Sequence, residues 1–336
     1  MLGDILSKRG DSRVVNFELL LPAQTHSSNV ELIMTSDTSD PRPIAVRLWV
    51  SAFSLLALAL FVDPSFAQQK SKTVVTGVAP LITRSVIREE VLRLEYGGTL
   101  TLVGAPEGSI TIEGWPRSEV ELKAVIELRA ETEEDLNRLA NVNGVVVDQD
   151  RNHVRILSTG THDKVFMKRA ARDFPRKLLG LPWKIDYRIR VPVATDLEIN
   201  AGRGAITLSG VEGALSLSAT ESDAKMTLSG GSVIATLGSG KVDVKILARS
   251  WRGSGADIRI ATGDLKIELP AGFNADIDAD ILRLGRIDDS YSALVSRERD
   301  GITDRIVRAR AGVGGAFFKL VVGDGTIRIV KEGIEK

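Results

Sequence analysis

From Val91 onward apolar and polar residues alternate with a period of two, in short runs that end at glycine or proline. Such runs occupy residues 91–96, 99–102, 110–113, 120–128, 144–148, 153–158 and 185–191, with Gly97, Gly98, Gly114, Gly144 and Pro192 at their borders. Successive side chains of a strand point to opposite faces, so each run predicts a strand buried on one side. A helix is predicted over 132–142. Thr132 places a side-chain acceptor ahead of the first free N–H groups, Leu136, Leu139 and Val142 share one face, and Asn143-Gly144 closes the segment. The alternation lapses at 161–184, an excursion in which Lys164, Lys168, Arg169, Arg172, Arg176 and Lys177 are interleaved with Phe166, Phe174, Leu178, Leu179 and Trp183.

Beyond Pro192 the pattern becomes a repeat: a Gly or Ser turn, then polar, apolar, polar, apolar. Gly204 precedes Ile206 and Leu208, Gly240 precedes Val242 and Val244, Gly263 precedes Leu265 and Ile267, and Gly325 precedes Ile327 and Ile329. The turn residues Gly204, Ser222, Gly240, Gly263 and Gly285 are spaced by 18, 18, 23 and 22 residues. A unit of this size with two short strands cannot bury its own apolar face, so neighbouring units must stack. The expected fold is therefore all-β, a right-handed β-helix-like β-solenoid over 189–332, preceded by a β-rich part over 85–188. A sandwich of ordinary hairpins shares the Gly-turn and alternation pattern, and the near-equal spacing selects the solenoid. In the solenoid Ile206, Val242, Leu265 and Ile327 form an inward column, while Thr207, Asp243, Lys266 and Arg328 face water.

The amino-terminal region follows a different pattern. Arg42 and Arg47 precede an uncharged, largely apolar run of 15 residues, 48–62, shorter than the roughly 20 needed to span a bilayer as a helix. Pro64, Ser65 and Ala67 follow, so the order of charged, apolar and small-residue zones is that of a secretory signal peptide, with cleavage expected between Ala67 and Gln68. The natural start is expected at Met34, which opens a segment of ordinary signal-peptide length. Residues 68–84 are polar and β-branched, fitting a linker or a first edge strand.

Composition narrows the function classes. Cysteine is absent, which excludes disulfides, thiolate chemistry and lipid attachment to an N-terminal cysteine. The chain carries 44 Lys/Arg and 44 Asp/Glu. Without residues 1–67 the counts become 39 and 37, a net charge of +2 that provides no basic face for nucleic acid. Only His153 and His162 remain after that removal, too few for a three-histidine metal site, and both are expected to face solvent. Glu89-Glu90 and Asp288-Asp289 are adjacent pairs whose members point to opposite faces of a strand, so they cannot flank one substrate bond. Gly323-Asp324-Gly325 is a single fragment of the calcium-binding nonapeptide, which needs consecutive copies to build its oxygen cage. No cofactor or metal is expected.

One resemblance is carried by specific residues. Ile189-Arg190-Val191-Pro192, Asp196-Leu197-Glu198-Ile199, the recurring Gly-x-Gly-x-apolar-x-apolar unit, and the passage from Trp251-Arg252-Gly253-Ser254-Gly255 to Leu269-Pro270-Ala271-Gly272-Phe273 resemble the bacterial putative-adhesin family. Gly108-Ser109-Ile110-Thr111-Ile112 looks like its opening repeat. The resemblance implies an extracytoplasmic β-helical domain without assigned catalytic residues. Ser222, where the family's turn has glycine, and the basic segment 161–184 depart from its pattern. The function expected is thus a non-catalytic interaction scaffold in the periplasm or at the cell surface, with an envelope protein, a glycan or a membrane surface as partner. The six cations Lys164, Lys168, Arg169, Arg172, Arg176 and Lys177 are the candidates for contact with an anionic surface. The alternative is a polysaccharide-processing β-helix enzyme, which requires carboxylates or an Arg/Lys pair stacked in one column.

Overall fold

The computed structural model describes residues 80–333, and nearly all of them lie in strands or the turns between them. The first part holds β1 (Ile82–Arg93), β2 (Thr99–Val103), β3 (Ile110–Trp115), β4 (Glu119–Ala130), β5 (Gly144–Asp150), β6 (His153–Thr159) and β7 (Trp183–Pro192). Then follow β8 (Asp196–Arg203), β9 (Ile206–Ser209), β10 (Ala214–Glu221), β11 (Ala224–Leu228), β12 (Gly230–Ile246) and β13 (Arg252–Leu269). The last part holds β14 (Ala275–Asp289), β15 (Leu294–Ser296), β16 (Ile306–Ala311) and β17 (Ala316–Lys331). Two helices interrupt the strands, α1 (Glu133–Ala140) and α2 (Lys164–Ala170). The Thr132 hydroxyl accepts from the Asp135 N–H at 3.1 Å, so α1 starts where its capping residue predicts and stops slightly short of the expected end.

Each long strand bends at a glycine and contributes to two ladders. One ladder runs β5, β6, β2, β8, β10, then the first halves of β12, β13, β17 and β14, then β16 and β15. The other runs β1, β4, β7, β3, β9, β11, then the second halves of β12, β13, β17 and β14. Pairing is parallel throughout the middle and antiparallel only near the ends, at β1–β4, β4–β7, β5–β6, β14–β16 and β15–β16.

Parallel register puts like residues above one another. Tyr187, Ile110, Ile206, Ala224, Val242, Leu265, Ile327 and Ile287 form one column across eight neighbouring strands. All eight are buried, the expected inward residues Ile206, Val242, Leu265 and Ile327 among them. A second column, two residues on, runs Ile189, Ile112, Leu208, Met226, Val244, Ile267 and Ile329. Each fully buried aliphatic side chain stabilises by about 1.5–3 kcal/mol relative to exposure, so these columns are the main cohesive element of the fold.

The coil separation is set at the bend. Gly204, Gly240, Gly263, Gly325 and Gly285 have φ between +131 and +144, and a Cβ on Gly263 would lie 1.9 Å from the Gly240 carbonyl oxygen. Ser222 occupies the same column without a positive φ; its hydroxyl donates to the Gly202 carbonyl at 3.2 Å. Of the wider spacings of 23 and 22 residues, one residue each is taken up within a strand, between Arg252 and Gly255 of β13 and between Ile281 and Leu284 of β14, and the rest falls in the opposite loops. There Trp251 and Phe273 pack edge-on against Phe318 at 5.1 and 5.4 Å, and the Tyr291 hydroxyl donates to the Pro270 carbonyl and accepts from the Phe273 N–H.

Stacking order departs from chain order at both ends. The strand pair β6 and β7 lies outside β2 and β3, and the last strand, β17, is inserted between β13 and β14. Strand β1 already begins at Ile82, earlier than its alternating run, because its antiparallel pairing with β4 extends from Ile82 opposite Ala130 to Arg93 opposite Glu119.

Two outcomes follow. Gly263→Ala should lower unfolding free energy by at least the roughly 1–3 kcal/mol of a forced backbone conformation, measured by urea denaturation, whereas Ser222→Ala should cost only about 1 kcal/mol for its hydrogen bond. Deletion of the chain from Ala316 onward should abolish the cooperative transition; an unchanged midpoint would contradict the inserted position of β17.

Candidate functional site

The recesses and charged clusters of the described residues differ in what their polar atoms already do. One recess, about 520 Å³, lies along the bend column where Ser222 replaces glycine, and it includes Arg203, Glu221, Asp223 and Ser239. Its charged groups are engaged: Arg203 Nε lies 3.1 Å from Glu221 Oε2, and Asp223 Oδ1 accepts the Lys241 N–H at 2.8 Å. The latter bond recurs between neighbouring strands. Asp186 accepts from Ser109 N, Asp196 from Ala214 N and Asp264 from Thr326 N. These aspartates therefore serve as cross-strand acceptors for turn amides.

Asp324 is held by Arg283, whose Nε lies 3.0 Å and Nη2 2.6 Å from Oδ2, and it also accepts the Leu284 N–H. The Arg283 hydrogen bonds, more than its charge, keep the Asp324 carboxyl below the usual range. In register with Gly285 and Gly263 it is Gly325, not Gly323, that occupies the bend, so Asp324 precedes its turn glycine while Asp264 follows its own. Asp243, Asp264 and Asp324 accordingly form no single column. Glu89 and Glu90 point apart, Glu89 to Lys123 at 2.6 Å and Glu90 to Arg88, as the strand period requires. Asp288 pairs with Arg286 at 2.9 Å, and Asp289 accepts the Tyr291 N–H at 2.8 Å.

The alternating Asp276, Asp278 and Asp280 of β14 form a carboxylate cluster that the sequence reading passed over. They face Arg308 and Arg310 of β16 and Arg297, with Arg310 Nε 2.8 Å from Asp276 and Arg308 Nη2 2.6 Å from Asp280. Its signal was the matching period-two pattern of acids in 276–280 and bases in 308–310. Every carboxylate there has an arginine, so the cluster seals an antiparallel edge. Among the described residues no group of three His, Asp or Glu is placed to hold a metal ion.

The two histidines lie in different settings. His153 Nε2 is 2.8 Å from the Thr101 hydroxyl. The His162 ring, 5.3 Å from Trp183, has its pKa lowered by burial. Tyr187 is sealed inside with Ser158 at 2.6 Å, and burial pushes its hydroxyl up to about 12.

The segment 161–184 folds as a cap on the β6/β7 end of the ladders. Asp163 caps α2 by accepting the Val165 and Phe166 N–H groups at 2.8 and 3.0 Å, and Met167, Leu178 and Trp183 are buried beneath it. Phe174 is half-buried against the same core. A short 3₁₀ turn covers Arg176–Leu178. The structure thus brings Lys164, Lys168, Arg169, Arg172, Arg176 and Lys177 to one end of the molecule, all exposed. Lys177 alone among the six is in an ion pair with a described residue. Its Nζ lies 2.8 Å from Asp135 Oδ2 of α1, whose side chain is only 6% exposed. The Lys177 hydrogen bond, partly opposed by desolvation, keeps the Asp135 carboxyl below its ordinary value. Ala67, Gln68 and the run 48–62 lie outside the described residues, as does most of 68–84. No helix among the described residues is long and apolar enough to cross a membrane.

Comparison with known proteins gives structural likenesses at low identity. A "putative cell adhesion protein" of Clostridium sporogenes is similar over 74% of this chain and 100% of its own, at 14% identity and a TM-score of 0.42. A "putative adhesin" of Bacteroides fragilis is similar over 74% of this chain and 97% of its own, at 11% identity and a TM-score of 0.24. A "putative lipid binding protein" of Parabacteroides distasonis is similar over 73% and 96%, at 13% identity and a TM-score of 0.20. No family model matches the chain, and neither does any curated protein.

The Lys177–Asp135 tie carries a pH dependence. Because the folded carboxyl is depressed, its stabilisation is present above the ordinary value of 3.8 and is lost as pH falls through the lower folded value. Asp135→Asn should therefore lower the urea midpoint at neutral pH, and the gap to the parent chain should close below pH 3.8.

Proposed function

We propose that this chain is an exported, non-catalytic β-solenoid that acts as an adhesin-like contact surface of the bacterial envelope. The observation that carries the reading is the pair of in-register columns of buried side chains, the first spanning eight neighbouring parallel strands. Such a stack places the intervening polar residues in flat, rigid rows. On one face Thr207, Lys225, Asp243, Lys266 and Arg328 lie side by side on neighbouring strands. A rigid row loses little side-chain and backbone freedom on association, which favours a binding role. The order of charged, apolar and small-residue zones in 42–67 supports export.

The same geometry disfavours the polysaccharide-processing alternative. The carboxylates beside the bends accept backbone N–H groups, and Asp276, Asp278 and Asp280 of β14 are each matched by an arginine. A general acid and base need carboxyl groups left free to exchange protons with substrate.

Three measurements test the reading. Amino-terminal sequencing of the exported protein should give a terminus at Gln68. Incubation with acidic polysaccharides should release no product; turnover that survives purification would overturn the non-catalytic assignment. Replacing Lys225, Asp243 and Lys266 together by Ser should reduce retention of envelope material by the immobilised protein at least severalfold, while the urea midpoint changes by little.

A further inference from the structure

We infer that the capped β6/β7 end of the molecule docks on an anionic phospholipid surface, with the outward side of α2 and the residues that follow it lying against the headgroups. The inference stands apart from the solenoid reading, because it rests on the cap alone.

Charge is segregated there. Residues 161–184 hold seven cations, Lys184 included, against the two carboxylates Asp163 and Asp173, in a chain whose total is balanced. Elsewhere the surface is laced with pairs, as at Arg155 with Asp148 and Asp150, or Arg283 with Asp324. At the cap, Lys164, Lys168, Arg169, Arg172 and Arg176 are exposed and form no ion pair with a described residue. Nor is this a loosely solvated run, because the inward side chains fix it: Met167, Leu178 and Trp183 are buried, and Asp163 caps the helix. The cations are thus displayed on a packed platform.

Apolar side chains share the outward side. Val165 is 59% exposed between Lys164 and Lys168, and Leu179 is 43% exposed beyond Lys177. Cations interleaved with exposed aliphatics match the interfacial zone of a bilayer, where charge meets phosphate and methyl groups enter the acyl boundary. A soluble acidic glycan offers the charge but no apolar phase for Val165 and Leu179.

The test is cosedimentation of the exported protein with vesicles of phosphatidylcholine alone and with added phosphatidylglycerol, at low and high salt. Binding is expected only with phosphatidylglycerol and should fall steeply with salt. Each cation removed should weaken partitioning about fivefold, so the combined K164Q, K168Q, R169Q, R172Q and R176Q chain should show none, with Lys177 left in place to preserve its tie to Asp135. V165S with L179S should weaken vesicle binding while leaving unchanged any binding to a soluble anionic polysaccharide. Equal binding to both vesicle types, binding unaffected by the five substitutions, or competition by the polysaccharide with no dependence on Val165 and Leu179 would overturn the inference; the last outcome would assign the cap to a glycan. If the fivefold variant fails to fold by circular dichroism, the single reversal R172E and the lipid and salt dependence of the parent chain decide the matter.

Discussion

The constraint on which the rest depends is the contact of backbone with backbone at the bend. Along the glycine column each turn lies on the carbonyl of its neighbour, as Gly263 lies on Gly240 and Gly285 on Gly325, with no room for a side chain. That approach permits the parallel strands on both sides of the bend to hydrogen-bond in continuous ladders. Those ladders in turn superimpose Ile206, Val242, Leu265 and Ile327. If the bends were held apart by a methyl group, the aliphatic columns would separate before they could exclude water. Ser222 is the exception that defines the rule: it fits by giving up the positive φ and donating its hydroxyl to Gly202, and a recess opens beside it.

Much of this was legible in the sequence because period two and recurrent glycine are local signals. The inward assignment of Ile206 through Ile327, the Thr132 cap of α1 and the opposed partners of Glu89 and Glu90 all follow from side-chain direction in one element at a time. What was not legible was the order of strands. Nothing in the runs around Ile287 and Ile327 tells that the later one lies inside the earlier, because both carry the same alternation and fit the same column. Order is decided by the ends, where β16 pairs with β14 through matched aspartates and arginines. The spacing change from 18 to 22 and 23 residues was visible, but its meaning was not: most of the extra residues enlarge the loops around Trp251 and Phe273, and one in each unit shifts the register within β13 or β14.

The charged residues divide in the same way. Composition gives a neutral chain, and only the fold shows that many charges meet in pairs along and across strands while five cations at one end form no ion pair with a described residue. The aspartates near the bends read as candidate ligands or acids in isolation. Placed in the ladder, one oxygen of each answers an N–H group of the next strand, a structural duty.

The insertion of β17 between β13 and β14 bears on how the molecule comes into being. Until residues 316–331 are available, the outer edge of β13 has no neighbour and β14 has nothing parallel to lie against. A polypeptide delivered through a narrow pore amino-terminus first therefore waits for its final segment before the stack is complete. Any chain that emerges in that direction, from a ribosome or a pore, would reach its finished form only after its last strand is free, and would stay threadable until then.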